Sequence, residues 1–249
     1  MKAMILAAGL GTRLRPLTEN RPKALVEVAG RTLLEITLTR LRSFGIQDVI
    51  INVHHFAGMM ASYLDANQNF GMNIEISRED VLLDTGGGLK QAADLFLKHL
   101  ASPDEPFLLH NVDVISTIDL SRMLRFHEES LALVTLAVQD RRTSRYLLFD
   151  ENGELCGRRA GKDSEAELIR SSKQVEALAF CGVHVISCRF LRLLNEQGTF
   201  SIIDPYLRLA AVGERILSFR ADEYYWRDLG RPENIAQAAE DLRQKAIVL

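Results

Sequence analysis

The first 28 residues read MKAMILAAGLGTRLRPLTENRPKALVEV and carry the strongest structural signal in the chain. An apolar run from Met4 to Ala8 leads into Gly9-Leu10-Gly11, a pattern typical of a buried strand that enters a glycine loop. Four cations then stand against one acid, Glu19; the cations are Arg13, Arg15, Arg21 and Lys23. Glycines let backbone N–H groups approach an oxyanion closely, and clustered Arg and Lys supply the matching charge. The segment therefore predicts a polyphosphate site after the first strand.

Two common phosphate loops do not fit this segment. A P-loop requires Gly-Lys-Ser/Thr after its glycines, and no such triplet follows Gly11. The dinucleotide fingerprint requires a third glycine and an immediate helix, whereas Pro16 and Pro22 favour an extended loop here. A Gly-x-Gly pair alone is more typical of a structural turn, so the charged residues that follow it carry the prediction.

The composition limits the location and the partners of the protein. The chain has 249 residues, 47% hydrophobic and 25% charged, which fits one large globular domain over residues 1–249. Its net charge of −3 argues against nucleic-acid binding, and no apolar stretch reaches the length of a membrane span. Three scattered cysteines without a Cys-x-x-Cys pair are typical of reduced thiols. We therefore expect a cytoplasmic monomer or small homo-oligomer that binds neither nucleic acid nor membrane.

Alternating strand and helix patterns predict an α/β fold. Apolar runs of strand length cover residues 2–7, 48–53, 73–77, 106–111, 131–138, 145–149, 179–187 and 215–220. Helical spacing of apolar residues covers 33–44, 59–64 and 89–100, and a last helix is expected from Pro232 to about Ala246. This order predicts a Rossmann-like, mostly parallel sheet with helices on both faces, in which ligands bind beyond the carboxyl ends of the strands.

The pattern loosens after about residue 140. Asp150-Glu151-Asn152-Gly153 is typical of a hairpin turn, and the charged stretch GRRAGKDSEAE, residues 157–167, predicts an exposed loop. The sequence contains no hexapeptide repeat, so we expect no left-handed β-helix.

Residues 9–25, Gly-x-Gly-Thr-Arg-Leu-x-Pro-Leu-Thr…Pro-Lys-x-Leu, resemble the sugar-1-phosphate nucleotidyltransferase (NDP-sugar pyrophosphorylase) family. Two further segments resemble the same family: LLHNVDV, which contains Asp113, and YYWRDLGRPEN, which contains Asp228. Val112 departs from the family pattern, which has glycine before the first aspartate. The resemblance runs from residue 1 to about 242. It implies attack by a sugar-1-phosphate oxygen on the α-phosphorus of a nucleoside triphosphate, with release of pyrophosphate.

The resemblance also implies roles for the charged residues of these segments. Arg13 would contact the triphosphate and its departing pyrophosphate, and Lys23 the phosphates on the attacking side. Arginine offers a fork for paired oxygens, and lysine a movable point charge. Asp113 and Asp228 would hold Mg²⁺, which proteins bind through one or two carboxylates plus substrate phosphates.

Nucleotide contacts are implied for residues of two glycine-rich segments. The segment LDTGGG, residues 83–88, contains three successive glycines that would suit close approach of a base or ribose. The implied nucleotide-binding residues are Ala8, Gly9, Gly11, Thr12, Thr85, Gly86 and Gly87. With this assignment, residues 1–140 form the expected nucleotide-binding part and residues 141–249 the sugar-binding part.

The sequence defines the sugar side less clearly. The strand AFCGVHV, residues 179–185, resembles the family's Phe-x-Gly-Ile-x-Val strand, which implies that Gly182 passes close to the sugar. Arg145 lies near the family's Tyr-Gly position and is a substitute anion contact. The family's Glu-Lys-Pro segment has no counterpart in CGRRAGKDSE, residues 156–165, so its contacts are not carried over.

The resemblance leaves the substrates open. The compact chain is most similar to uridylyltransferases that use UTP with N-acetylmuramate-1-phosphate, and this pair or a related amino sugar is the first expectation. A carboxylate on such a sugar would need a cation, which Arg145, Arg158, Arg159 or Lys162 could supply. Mannose- and heptose-1-phosphate guanylyltransferases share nearly the same motifs. A non-catalytic nucleotide-sugar-binding regulatory subunit is the alternative of another class, and the retention of all four charged motif residues argues against it.

Overall fold

The computed structural model describes residues 1–98, 100, 102–161 and 164–244. Its strands are β1 (Lys2–Leu6), β2 (Glu27–Val28), β3 (Arg31–Thr32), β4 (Asp48–Val53), β5 (Asn73–Arg78), β6 (Pro106–Asn111), β7 (Val114–Ser116), β8 (Val134–Gln139), β9 (Tyr146–Phe149), β10 (Leu155–Arg159), β11 (Ala166–Leu168), β12 (Glu176–Ser187), β13 (Ile216–Arg220) and β14 (Trp226–Asp228). Its α-helices are α1 (Leu33–Ser43), α2 (Ala57–Ala66), α3 (Asp84–Gln91), α4 (Ala93–Leu97), α5 (Leu120–Ser130), α6 (Arg189–Arg192), α7 (Ile203–Ala211) and α8 (Pro232–Arg243). The expected end of the last helix at Ala246 lies outside the described residues.

A mixed sheet runs through the described part of the chain in the order β11-β10-β9-β12-β6-β1-β4-β5, with β8 beside β12 and β13 beside β8. Strands β6, β1, β4 and β5 are mutually parallel, and β12 is antiparallel to β6, β8 and β9. The expected Rossmann-like sheet is therefore confirmed, with an antiparallel extension beyond β6. None of the described strands builds a left-handed β-helix.

Helices cover both faces of the sheet because successive β1 side chains alternate between two apolar cores. Ala3 and Ile5 pack in one core with residues of α1, α2, α5 and α8, whereas Met4 packs in the other with residues of α3, α4, α6 and α7. This period of two is what a strand buried on both faces requires. The prediction of helices on both faces is confirmed.

The region after residue 140 differs in part from the sequence expectation. The turn at Asp150–Gly153 is confirmed, because the Asp150 carboxylate accepts hydrogen bonds from the amides of Asn152 and Glu154, both at 2.9 Å. The prediction of an exposed loop over 157–167 is wrong at both ends of the stretch, where β10 and β11 pair as antiparallel strands. These strands at the end of the sheet contain the charged residues Arg158, Arg159 and Glu167, so charge indicated exposure but not the absence of a strand.

The glycine loop, residues 7–22, connects β1 to a short 3₁₀ turn at Lys23–Leu25 and contains another at Thr12–Leu14. Leu14 is fully buried and fixes the middle of the loop to the core. Gly11 has φ +63° and lies so close to Thr18 and Lys23 that a Cβ would come within 3.0 Å of the Thr18 methyl. The loop is thus a packed structure rather than a flexible link. No helix in the described ranges is both long and apolar enough to cross a membrane.

Candidate active site

The carboxyl ends of three parallel strands form the first cavity, which we call the strand-end cavity. Leu6 of β1 is the register neighbour of Asn52 in β4 and of Asn111 in β6. The cavity has a volume of about 360 Å³ and lies where β1 continues into Ala7, Ala8 and Gly9. Its wall also contains Lys23, Asn52, Glu79, Leu82, Asp84, Thr85, Asn111, Val112, Asp113 and Thr199. This edge of the sheet is where the fold class predicts a ligand.

Lys23 and Asp113 meet in this cavity as an ion pair. Lys23 is buried and begins a 3₁₀ turn whose Ala24 and Leu25 are also buried. Asp113 is the second residue after β6, and Val112 before it donates its amide to the Leu6 carbonyl at 3.2 Å. Val112 therefore remains hydrogen-bonded to β1 in the turn after β6, at the position where the family pattern has glycine. The motif lysine and the first motif aspartate, 90 positions apart, hold each other in place.

Sequence reasoning missed two buried polar residues of the same cavity, Asn52 and Glu79. Each is 2% exposed, and the Asn52 amide donates to a Glu79 carboxylate oxygen at 2.8 Å. The other Glu79 oxygen accepts from the Leu83 amide at 2.8 Å. A polar residue at the end of β4 and an acid directly after β5 were the available signals, because neighbouring parallel strand ends meet at one edge. The pair presents a fixed polar surface to a ligand in the cavity.

Arginines dominate the neighbouring cavity, which we call the arginine-lined cavity. Its volume is about 710 Å³, and it shares Asn111 with the strand-end cavity. Six arginines contribute to its wall: Arg13, Arg141, Arg142, Arg145, Arg227 and Arg231. Asp228 is the acid among its lining residues. Such a surplus of positive charge favours anionic ligands.

Arg13 and Asp228 converge on Gly230 in this cavity. A Cβ at Gly230 would lie 2.7 Å from an Asp228 carboxylate oxygen and 3.0 Å from a guanidinium nitrogen of Arg13. The Gly230 amide donates to the same Asp228 carboxylate at 2.6 Å, which fixes its orientation. Gly230 is therefore required for the close approach of its neighbours. The arginine of the first motif and the aspartate of the last motif are brought together here.

Strand pairing also brings the two motif aspartates next to each other. Asp228 in β14 pairs with Val114 in β7, and the Leu229 amide donates to the Asp113 carbonyl at 2.8 Å. Within the described residues, no group of three or more His, Cys, Asp or Glu side chains could hold a metal alone. Two carboxylates fit Mg²⁺, which keeps several positions for water and phosphate oxygens. They fit zinc poorly, because structural zinc sites use four protein ligands.

Arg141 and Trp226 form one wall of the arginine-lined cavity. The Arg141 guanidinium lies 3.6 Å from the centre of the Trp226 ring and donates to the Phe180 carbonyl at 2.7 Å. The Trp226 indole donates to the Cys181 carbonyl at 2.7 Å. Burial lowers the pKa of Arg141 below its usual range, because its positive charge has lost part of its hydration. Such a guanidinium gains more from an anionic partner than an exposed one.

Gly182 and Asn111 lie at the junction of the two cavities. Gly182 has φ +73°, and a Cβ there would come within 2.8 Å of the Asn111 amide nitrogen. The Asn111 side-chain oxygen is buried and has no hydrogen-bond partner in the protein. An unsatisfied buried acceptor favours a ligand donor or an ion nearby. Gly182 lines the arginine-lined cavity beside Asn111, and its expected contact with the sugar stays a prediction.

The glycines of LDTGGG pack against protein rather than lining a cavity. Asp84 and Thr85 belong to the strand-end cavity, but Gly86 and Gly87 are the first-turn residues of α3 and their amides donate to the Phe200 carbonyl. A Cβ at Gly86 would lie 2.4 Å from the Phe200 ring, and one at Gly87 would lie 2.7 Å from the Gly198 carbonyl oxygen. Close helix packing is therefore a sufficient physical reason for these glycines.

The other implied nucleotide residues divide between cavity wall and loop. Ala8 and Gly9 line the strand-end cavity, whereas Gly11 and Thr12 lie farther along the glycine loop and belong to neither cavity wall. Arg145 is exposed and lines the arginine-lined cavity. The arrangement thus gathers a lysine, an arginine, two carboxylates and strand-end backbone at one edge of the sheet. This combination can bind and orient phosphate groups.

Comparison with known proteins agrees with this chemistry. A family model described as "Nucleotidyl transferase" matches residues 2–154, so the chain belongs to the nucleotidyl transferase family. An N-acetylmuramate α-1-phosphate uridylyltransferase of Caulobacter vibrioides is 34% identical over 242 residues, which are 93% of this chain and 92% of that protein. A mannose-1-phosphate guanylyltransferase catalytic subunit beta of Dictyostelium discoideum is 28% identical over 94% of this chain, which spans 62% of that protein.

A solved structure of a putative glucose-1-phosphate thymidylyltransferase from Bacillus anthracis superposes with a TM-score of 0.79. The two chains are 18% identical, and the superposition covers 100% of this chain and 98% of the other. At this identity the likeness concerns the fold alone, and it confirms the α/β architecture described above.

Proposed function

We propose that this nucleotidyltransferase transfers a uridylyl group from UTP to N-acetylmuramate-1-phosphate or a related amino-sugar phosphate. The observation that carries the proposal is the convergence of Lys23, Asp113, Arg13 and Asp228 at one sheet edge. The choice of substrates is supported by the uridylyltransferase relative, which matches over nearly the whole of both chains.

The proposed reaction is an in-line displacement at phosphorus. A sugar-phosphate oxygen forms a bond to the α-phosphorus, and the bond from that phosphorus to the bridging oxygen breaks. Its electron pair leaves with pyrophosphate, and the ionised nucleophile needs no general base. Such transfers depend on positioning the two anions and stabilising charge on the leaving group.

The charged residues divide this work between them. Lys23 is held by Asp113 beside the strand ends, where its ammonium can offset the repulsion between the two phosphate substrates. Arg13 faces the second cavity and offers paired donors to the oxygens of the leaving pyrophosphate. Ala8 and Gly9 present backbone to the nucleotide on the strand-end side.

Asp113 and Asp228 would hold Mg²⁺ in the proposed enzyme. When bound, the ion would neutralise charge on phosphate oxygens and restrict their geometry. This role is supported by the β7–β14 pairing, which brings the backbones of the two aspartates to neighbouring positions. The Gly230 amide fixes one Asp228 oxygen, which leaves the other available for a ligand.

A guanylyltransferase acting on mannose- or heptose-1-phosphate is the second candidate. Its support is the group of mannose-1-phosphate guanylyltransferases at 28% identity, including one from Mycobacterium tuberculosis that matches over 96% of this chain. A non-catalytic nucleotide-sugar-binding subunit is less well supported. A protein that only binds the product has no need of a leaving-group arginine together with two carboxylates.

A grid of substrates tests the proposal. Pyrophosphate release would be measured for UTP, GTP, CTP and dTTP, each with the 1-phosphates of N-acetylmuramate, N-acetylglucosamine, glucose, mannose and a heptose. We expect the highest kcat/KM for UTP with N-acetylmuramate-1-phosphate. A higher value for GTP with mannose- or heptose-1-phosphate would establish the second candidate, and no release with any pair would support the regulatory subunit.

A further inference from the structure

A third cavity, which we call the hairpin cavity, adjoins the arginine-lined cavity. It has a volume of about 620 Å³ and lies between the β9–β10 hairpin and the start of α7. Arg145 and Phe180 belong to the walls of both cavities. A ligand in the arginine-lined cavity could therefore extend a substituent past these two side chains.

Arg158 and Arg159 of β10 both line this cavity, but they differ in their ion pairing. Arg158 donates to Glu167 at 2.6 Å and to Asp204 at 2.9 Å, so its charge is offset by two carboxylates. Arg159 forms no ion pair with any residue in the described ranges. Its guanidinium lies 5.5 Å from the centre of the Tyr146 ring, and its Nε is buried without a hydrogen-bond partner. Arg159 is thus a cation that has no acidic partner among the described residues.

The position of Arg159 connects it to the neighbouring cavity. Arg159 is the cross-strand neighbour of Tyr146, which directly follows Arg145 in the chain. The Gly161 amide donates to the Ser144 carbonyl at 2.9 Å and fixes the adjoining turn. Arg145 and Arg159 therefore both line the hairpin cavity, and Arg145 lines the arginine-lined cavity as well.

We propose that Arg159, together with Arg145, binds a carboxylate carried by the sugar of the substrate, separate from its 1-phosphate. The ligand class is an acidic sugar-1-phosphate, and the inference rests on the proposed function because it places the sugar phosphate in the arginine-lined cavity. A carboxylate satisfies the buried Nε donor, and charge-assisted hydrogen bonds of this kind are among the strongest in proteins. Leu147, Phe180 and Ile203 offer apolar surface to the hydrocarbon part of the substituent.

The acidic residues of the hairpin cavity do not cancel its preference for a negatively charged substituent. Its formal charges balance, since Glu165, Glu167 and Asp204 stand against three arginines. Glu167 and Asp204, however, are bonded to Arg158, and Glu165 is exposed to solvent. A positively charged substituent would face Arg145 and Arg159 directly. Lys162, a further cation considered from the sequence, lies outside the described residues.

Arg159→Ala tests the proposal, with Arg158→Ala as the matched control. We expect Arg159→Ala to raise the KM for N-acetylmuramate-1-phosphate by about tenfold to a hundredfold, the scale of one lost charge-assisted hydrogen bond. The KM for N-acetylglucosamine-1-phosphate, which lacks the carboxylate, should change by less than about twofold. Arg159→Lys should recover part of the loss, because it keeps the charge. Arg158→Ala should change both KM values by the same factor, and thermal melting checks that each variant is folded.

Direct binding separates this inference from the proposed function. Isothermal titration of wild-type protein with each of the two sugar phosphates should show tighter binding of the acidic sugar, and Arg159→Ala should abolish the difference. This result without turnover of either sugar with UTP would refute the proposed substrates and leave the carboxylate site standing. Equal loss for both sugars in Arg159→Ala, or no preference in the wild-type protein, would overturn the inference.

Discussion

The strand-end cavity and the arginine-lined cavity lie side by side, but they differ in whether their charged side chains have partners within the protein. In the strand-end cavity the protein supplies its own partners, because Lys23 is paired with Asp113 and Glu79 is bonded to Asn52. In the arginine-lined cavity, Arg142 and Arg145 belong to no ion pair within the residues that the structure describes. Lys23 and Glu79 thus have bonding partners inside the protein, whereas Arg142 and Arg145 are available to an anionic ligand.

This difference indicates a division of labour. A preorganised set of paired charges costs little reorganisation when a substrate arrives, so it suits chemistry common to every nucleotidyl transfer. Unpaired arginines gain most from the ligand that brings the missing anions, so they suit selection between substrates. We therefore expect variants of Lys23 and Asp113 to lower turnover, and variants of Arg142 and Arg145 to change substrate preference. Arg13 and Asp228, which meet at Gly230, belong with the first group.

Removal of either carboxylate charge should give the largest effect. Asp113→Asn or Asp228→Asn should lower kcat at least about a hundredfold, since each would remove a metal ligand and a preorganised charge. Steady-state pyrophosphate release at saturating Mg²⁺ measures this effect. Asp65→Asn, at an exposed position of α2, is the control and should retain wild-type turnover. Full activity after thorough chelation with EDTA would contradict the metal assignment.

Arg13→Ala should cause the next largest loss of activity after the aspartate variants. Because Arg13 would stabilise charge on the leaving pyrophosphate, its loss should lower kcat and kcat/KM together by about a hundredfold. Arg15→Ala is the matched control, since Arg15 is exposed and belongs to neither cavity wall. A rise in the KM for UTP with unchanged kcat would mean that Arg13 only binds the ground state.

Gly230→Ala should have an intermediate effect that reveals how closely Arg13 and Asp228 are placed. The new methyl would stand where both side chains approach, 2.7 Å from the Asp228 carboxylate, and should displace them. We expect kcat to fall about tenfold, since small misplacements of reacting groups are costly. Gly58→Ala in α2 has open space around its Cβ and should preserve activity while slightly raising the melting temperature. Equal activity in both variants would refute the role of Gly230.

Two buried histidines, one in β6 and one in α5, should make the stability of the protein depend on pH. Burial lowers the pKa of His110 and of His127 to about 4, below the ordinary value of 6.5. The unfolded chain then binds more protons between these values, so the free energy of unfolding should fall as the pH drops from 7 to 5. The expected loss is about 2 kcal/mol for each histidine at pH 5.

Urea denaturation at pH 7 and pH 5 measures this dependence. His127→Gln should reduce the difference between the two pH values, because glutamine cannot take up the proton. His127 bonds only to the hydroxyls of Thr135 and Ser187 through its ring nitrogens, so glutamine can replace part of its contacts. An unchanged difference in the variant would show that the acid sensitivity originates elsewhere.

The fold around the first motif could be predicted because neighbouring residues in the sequence determine it. Apolar alternation marked β1, and glycine with clustered cations marked the loop that follows it. Motif resemblance selected Asp113 and Asp228, whose backbones lie at neighbouring positions in the structure, and their role as metal ligands stays a prediction. The strands of the parallel half were predicted to within a few residues for the same reason.

Features that depend on distant contacts could not be predicted. The roles of Asn52 and Glu79 come from the parallel alignment of β4 and β5, which no local pattern encodes. Gly86 and Gly87 pack against Phe200 and Gly198, more than a hundred positions later, while their expected nucleoside contact stays a prediction. The different states of Arg158 and Arg159 likewise depend on β11 and α7. Sequence identified the charges but not their partners.

A competition experiment tests the central claim most directly. The enzyme would be incubated with Mg²⁺, equal concentrations of UTP and GTP, and equal concentrations of N-acetylmuramate-1-phosphate, N-acetylglucosamine-1-phosphate and mannose-1-phosphate. Mass spectrometry of the nucleotide sugars formed at low conversion gives the ratio of kcat/KM values in one sample. The account predicts that UDP-N-acetylmuramate is the dominant product. Predominance of GDP-mannose, or of a UDP-sugar without a carboxylate, would contradict it.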